Sequence, residues 1–331
     1  MKKADFFQKK EQEKILCQLC PRQCVIVVEG RGRCQGRVNR AGVLYTKNYA
    51  MLSSLALDPI EKKPLYHFYP GSRILSVGTF GCNFHCRFCQ NWQISQQKPS
   101  LTRLSPAELV ELARKRDSIG IAYTYSEPVV WYEYLRETGA MARQKGLKNV
   151  LVTNAYLNRT PIQELVGLID AVNVDLKAFN DDFYRRICGG SLQPVLDNIE
   201  LLAGSEETHL EVTTLLINGL NDREEELRPL FAWLAGLSRA IPLHLSRYFP
   251  RYQLERPATP LAKMKKAYRL AKEYLDYVYL GNINHAEGRK TYCPACGEEL
   301  ISRDGFRPEN HLLQNRCPAC SYVITGRFKK L

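Results

Sequence analysis

The sequence contains no run of 18 apolar residues, and its opening stretch, MKKADFFQKKEQEKIL, lacks the apolar core of a secretory signal. A membrane span and export are therefore not expected, and the cytoplasm is the expected compartment. No Gly-x-Gly-x-x-Gly turn follows the first predicted strand, which speaks against a dinucleotide-binding sheet. Recognition-helix, RRM and KH signatures are missing as well, so nucleic acid is not the expected partner. A composition of 45% hydrophobic and 24% charged residues excludes a disordered or fibrous chain. At 331 residues there is room for a large core and one or two small modules.

What is plentiful is positive charge and cysteine. There are 47 Lys and Arg against 34 Asp and Glu, a net charge of +13, of which +7 falls in residues 1–50 and +3 in residues 284–331. Basic ends of this kind suit an anionic ligand or an acidic protein, and a solvated basic face is the simplest reading. The 12 cysteines argue for metal ligation rather than disulfides in a chain without an export signal. They form three groups: Cys17, Cys20, Cys24 and Cys34; Cys82, Cys86 and Cys89; and Cys293, Cys296, Cys317 and Cys320. Cys188 stands alone and reads as an ordinary buried or loop thiol.

Between residues 72 and 283, β-rich runs alternate with helical patterns. Strands are expected at 74–79, 121–125, 150–154, 171–177, 210–217 and 242–249, with a further edge at 277–281. Helices are expected from Ser105–Pro106, near 128–145, and from Thr160–Pro161. The first has Ser105 as N-cap, Pro106 behind it and Glu108 three residues on, the pattern of a capping box. Such alternation implies a parallel sheet, and six or more units favour a barrel or partial barrel over an open doubly wound sheet. In a parallel barrel the site lies at the C-terminal strand ends. Cys82, Glu127, Thr153–Asn154, Asp175 with Lys177, and His244 all fall there.

The segment GTFGCNFHCRFCQNW sets Cys82-x3-Cys86-x2-Cys89 directly after the first of these strands. Three thiolates on one loop can hold three irons of a cubane and leave the fourth iron open for chemistry. The alternative is a structural zinc loop completed by His85 or a distant residue. Glu127 can equally be the Glu of a Glu-Pro pair starting a helix, and Asp175 with Lys177 a salt bridge inside the barrel. His244 can be a satisfied core histidine.

The Cys82 motif, with Phe88 before its last cysteine, resembles the radical S-adenosylmethionine (SAM) superfamily, in its pyruvate formate-lyase activating enzyme-like branch. LCQLCPRQC, GRGRCQGRVNRAGVLY, DPIEKKPLYHFYPGS and YTYSEPVVWYEY are similar to the AmmeMemoRadiSam system radical SAM enzyme. The resemblance covers residues from about 15 to 283. It implies a partial (β/α)6 TIM-type barrel, a [4Fe–4S] cluster on Cys82, Cys86 and Cys89, and SAM chelated to the open iron. It implies reductive cleavage of SAM to methionine and a 5′-deoxyadenosyl radical that takes hydrogen from a substrate. A reductant such as flavodoxin or ferredoxin is implied too. Phe88, Glu127, Thr153, Asn154, Asp175, Lys177 and His244 would surround SAM, with Glu127 receiving its amine. Tyr125 and Ser126 stand where the family has glycines, and Val152 where it has an acid before the Thr-Asn pair. The substrate is an unnamed protein, peptide or small molecule. Glycyl-radical activation is the alternative, and a non-catalytic, zinc-organised nucleic-acid or protein-binding module is a reading of another class.

Cys293-x2-Cys296 and Cys317-x2-Cys320 read as two knuckles of a zinc ribbon at 284–331, with a rubredoxin-like iron site as the other option. Cys17, Cys20, Cys24 and Cys34, in an N-terminal segment 1–71, form a second metal-like set. Structural zinc, an auxiliary iron–sulfur cluster, or a metal that depends on preparation all remain open there.

Overall fold

The computed structural model describes residues 1–283 and 288–328. The boundary expected at residue 284 falls outside them. Eight strands form the main sheet: β1 (Ser54–Pro59), β2 (Arg73–Gly78), β3 (Gly120–Tyr123), β4 (Lys148–Thr153), β5 (Ala171–Asp175), β6 (His209–Leu216), β7 (Leu243–Arg247) and β8 (Val278–Gly281). Their spatial order follows the chain from β1 at one edge to β8 at the other, so the sheet is open. From β2 to β8 every pairing is parallel. Helices α1 (Pro106–Lys115), α2 (Tyr132–Gln144), α3 (Arg159–Val166), α4 (Gln193–Ala203), α5 (Glu224–Leu237) and α6 (Leu261–Tyr274) alternate with these strands. The result is six β/α units and a terminal strand.

Near-continuous burial of β3, β5 and β6 is what a parallel sheet covered by helices requires. α1 begins as its sequence predicts. Ser105 N–H donates to Glu108 at 2.7 Å and Glu108 N–H donates back to the Ser105 hydroxyl at 3.3 Å. The one strand of the main sheet not foreseen is β1, which pairs antiparallel with β2 from within the segment expected to precede the barrel. Small antiparallel sheets accompany the main one, built from residues 2–46, from 51–52 with 102–103, and from 291–310. No described helix is long and apolar enough to cross a membrane.

Alternation along β6 turns Glu211 into the barrel, where it is fully buried. It accepts from the backbone N–H of Tyr66 at 3.0 Å and of His67 at 2.7 Å. His209 and His244 bond it from the sides at 3.0 and 2.6 Å. Residues 60–68 are thereby held along the inside of the sheet, and the Pro64 carbonyl accepts from Asn173 Nδ2 at 2.8 Å. The C-terminal sheet docks on the same segment. Arg303 donates to the Tyr66 carbonyl at 2.8 Å and lies 4.3 Å over the Tyr66 ring, while His67 meets Thr325 O at 2.6 Å.

Burial would raise the Glu211 pKa, but the two histidines hold it well below the usual carboxylate range. A depressed carboxylate adds stability that is full above its unfolded pKa and lost as pH falls through the folded value. Glu211→Gln should therefore cost about 3–5 kcal/mol at pH 7, as expected when one partner of a buried charged network is removed. The cost should shrink below about pH 4.5, the ordinary value for this side chain. Denaturant titrations of both proteins across that range measure it, and a pH-independent difference would refute the electrostatic account.

Candidate active site

The cysteine loop leaves β2 at its C-terminal end and is pinned from several directions. Gly81 has φ +93°, and a Cβ there would stand 2.2 Å from the Cys34 carbonyl, so only glycine fits. His85 N–H and Arg87 N–H donate to the carbonyls of Cys188 and Ile187 at 2.8 and 3.0 Å. Those acceptors belong to a single π-helical turn, Tyr184–Cys188. Cys82, Cys86 and Cys89 face a cavity of about 330 Å3 at the mouth of the barrel, within the range of small-molecule sites. Phe88 lines it too, whereas His85 does not.

The other strand ends converge on the same space. Glu127, two places into the loop after Tyr125, is 3% exposed. Its Oε1 accepts from Thr153 Oγ1 at 2.6 Å and from Val129 N–H at 3.2 Å, and its Oε2 from Asn154 N–H at 2.9 Å. Glu127 and Asn154 line the cavity, while Thr153 sits behind them. Asn154 Nδ2 bonds Asn83 Oδ1 at 2.8 Å and approaches Cys82 Sγ at 3.8 Å. Lys177 Nζ pairs with Asp175 at 2.7 Å, and both residues line the cavity. Burial alone would lower the Lys177 pKa, but Asp175 and the Cys86 sulfur raise it overall, so the ammonium is retained. Glu127 is both N-cap of the turn Pro128–Trp131 and part of the cavity wall.

His244 is placed differently from the expectation. It lies lower in the barrel, bound to Glu211, and lines a neighbouring cavity rather than the one that holds the cysteines. The bond to Glu211 accounts for this: His244 stands opposite Thr213, which does line the cysteine cavity, but its ring is held on Glu211, and Ser246, two residues further on, borders both cavities.

Four residues contribute in ways not foreseen. Cys188 is fully buried, and its interaction with the Cys86 sulfur lowers the Cys86 pKa. Tyr125 takes a left-handed φ of +70° where the resemblance expected glycine. Its hydroxyl donates to Asp58 at 2.7 Å and Lys63 lies 4.6 Å over its ring, which hold it there. Asp58 and Lys63, themselves paired at 2.9 Å, come from β1 and the turn after it. Their only sequence signal was the clustered charge of DPIEKK. Cys188 offered none, because its partner is a hundred residues away.

Of the flanking cysteine groups, the C-terminal one converges tightly. Cys293, Cys296, Cys317 and Cys320 bring their sulfurs within 4.8 Å of one another, a geometry able to hold one metal ion. Two matching turns set this up: Gly297 N–H donates to Cys293 O, and Ser321 N–H to Cys317 O, each at 2.9 Å. Cys17, Cys20, Cys24 and Cys34 share the wall of one small cavity. Burial pushes the Cys20 thiol up to about 12 and the Cys34 thiol up to about 11.

A sequence profile of the Radical SAM superfamily matches residues 76–231. An uncharacterised protein of Methanocaldococcus jannaschii is 42% identical over 98% of this chain and 99% of its own length. The chain belongs to the radical SAM superfamily. A pyruvate formate-lyase-activating enzyme of Streptococcus mutans is 26% identical, covering 65% of this radical SAM chain and 90% of its own. Among solved structures, Streptococcus suis SuiB bound to S-adenosylmethionine shares the fold. Its TM-score is 0.52 at 11% identity, over 68% of this chain and 53% of that one.

Burial raises the Glu127 pKa to about 7, against the opposing hydrogen bonds from Thr153, Asn154 and Val129. A carboxyl that keeps its proton in the folded state contributes fully below its unfolded pKa of about 4.5 and loses that contribution as pH rises to about 7. Without SAM, the stability of wild type relative to Glu127→Gln should fall by about 3 kcal/mol across this window. Paired denaturation curves test it, and a flat difference would show that the hydrogen bonds keep the carboxylate ionised.

Proposed function

We propose that this chain is a radical SAM enzyme whose active site is the cavity at the barrel mouth. The observation that carries the reading is convergence: the three loop cysteines, Glu127, Asn154 and the Asp175–Lys177 pair, drawn from four strand ends, line one space. The donor set suits the group that the superfamily implies. Three thiols face the cavity without closing on a single point, as three corners of a [4Fe–4S] cluster require, and no fourth cysteine lines it. Bound there with SAM, that group supplies reductive cleavage of the sulfonium to methionine and a 5′-deoxyadenosyl radical.

The chain's own part is placement and charge. Cys82, Cys86 and Cys89 would each hold one iron, with Lys177 offsetting the thiolate charge beside Cys86. The Cys188 thiol, bonded to the Cys86 sulfur, would draw charge from it. Glu127 is assigned to the methionyl amine of SAM. An arriving ammonium would form a charge-assisted bond and keep the carboxyl ionised. Thr153 positions that carboxyl, and Phe88 shields the cavity wall beside Phe183, 6.1 Å away. His244 acts from below through Glu211 and the 60–68 segment. Enclosure by these walls limits water at the reacting carbon.

We assign the chain to the AmmeMemoRadiSam-type enzymes, acting on a peptide or small molecule and reduced by a flavodoxin- or ferredoxin-class protein. A second reading, activation of a glycyl-radical enzyme, is favoured by the similarity to the Streptococcus mutans activating enzyme. A non-catalytic binding module would need none of the converging cavity residues. At the C-terminus the tight sulfur set is assigned to structural zinc.

Anaerobic protein reconstituted with iron and sulfide, reduced with dithionite and given SAM should release 5′-deoxyadenosine, and Cys82→Ala should release none. Lys177→Ala should lower the rate by at least about tenfold, equivalent to ~1.4 kcal/mol of lost stabilisation. Chromatographic quantification of the nucleoside decides it. No nucleoside from wild type shown to carry its cluster would refute the catalytic reading.

A further inference from the structure

The two four-cysteine groups of this protein are spaced differently. At the C-terminus, Cys293 and Cys320 stand 3.6 Å apart, as do Cys296 and Cys317. Those are the edges of a tetrahedron around one ion with metal–sulfur bonds of about 2.3 Å. Among the described residues, that is the only set of three or more Cys, His, Asp or Glu whose ligand atoms all lie within 4.8 Å of one another. Cys17, Cys20, Cys24 and Cys34 do not meet that limit, although all four line a single cavity. Cys82, Cys86 and Cys89 behave the same way. The N-terminal set therefore has the wider spacing of the barrel loop and not the tight spacing of the C-terminal site. Sulfurs gathered round one space, yet too far apart to share an ion, suit a polynuclear core in which each thiolate caps its own iron.

A second, independent feature points to a ligand in that cavity. Arg37 lines it and is 1% exposed. Its guanidinium pairs with Glu133 at 2.8 Å and donates to the Asp5 carbonyl at 3.1 Å, but its buried Nε has no hydrogen-bond partner. A buried N–H left unmatched is costly, and an anionic sulfur-rich core offers the acceptor. Asn83 also lines this cavity, and it is the residue directly after Cys82. Arg22 ties the two regions together, with Nε donating to Asn83 O and a terminal nitrogen to Gly189 O.

We propose that Cys17, Cys20, Cys24 and Cys34 hold a second [4Fe–4S] cluster, ligated by protein at all four irons and seated against the back of the Cys82 loop. With no iron left open, this cluster does not take a substrate. Its presence is independent of whether SAM is cleaved at the barrel mouth.

The deciding variant is the full chain with Cys82→Ala, Cys86→Ala and Cys89→Ala together, reconstituted without oxygen. The N-terminal group is then the one four-cysteine set with wide spacing. About four irons and four sulfides per chain, with the Mössbauer spectrum of a [4Fe–4S] cluster, are expected. Adding Cys20→Ala and Cys34→Ala should remove the sulfide and leave the C-terminal metal in place. Sulfide is the telling readout, because a mononuclear site holds none. A triple variant that folds, shown by circular dichroism, but binds zinc or nothing at the N-terminus would overturn the proposal. Should the triple variant not fold, wild type decides: about eight irons and eight sulfides support a second cluster, and about four of each exclude it.

Discussion

The organisation of this barrel rests on one buried carboxylate. Glu211 lies in a nearly fully buried strand, a position that would reject a charge left without partners. Its partners are two backbone N–H groups of Tyr66 and His67 and the rings of His209 and His244. Satisfying the charge obliges residues 60–68 to run inside the open sheet. Once there, that segment supplies the Pro64 carbonyl to β5 and the Tyr66 ring to Arg303 of the C-terminal sheet. A polar constraint at the base of the barrel thus joins parts of the chain far apart in sequence.

At the mouth the same economy recurs with different chemistry. Glu127 fastens the ends of β3 and β4 together through Thr153 and Asn154, so the wall of the cavity and the proposed ligand are one group. Tyr125 holds a left-handed backbone that a glycine would adopt without cost. The Asp58–Lys63 pair offsets that cost through a hydroxyl bond and a ring contact. Gly81 solves the opposite problem, since the close approach of the Cys34 carbonyl leaves no space for any side chain. The N-terminal segment and the Cys82 loop are consequently packed as one body.

Much of the fold was legible from local pattern. Runs buried on both faces announced β2 to β8, and the Ser105–Glu108 box marked the start of α1 to the residue. Period-two alternation set Asp175 and Lys177 side by side, and the structure pairs them at 2.7 Å. β1 was missed because SLALDP is a short, half-exposed edge with no burial pattern of its own. Cys188 looked solitary because only the π-helical turn brings its thiol to Cys86. His244 lines the neighbouring cavity because it bonds Glu211, a partner on another strand that its own strand's sequence does not reveal.

The sequence by itself determined the inventory: which residues are candidate ligands, which strands alternate with which helices, and which superfamily the cysteine loop resembles. Those properties are carried by residue type and by spacing over a few positions, where covalent geometry and periodicity are enough. Tertiary structure alone decided depth, distance and partnership. The buried bond to Glu211 kept His244 out of the cysteine cavity that its cross-strand neighbour Thr213 lines. The packing of the chain gave the two four-cysteine groups different sulfur spacings, which their motifs alone did not state. Burial then raised the Glu127 pKa to about 7, while His209 and His244 held Glu211 well below the usual carboxylate range, although both are the same side chain. Such differences depend on which donors surround a group in space, and that is fixed only when the whole chain has closed around it.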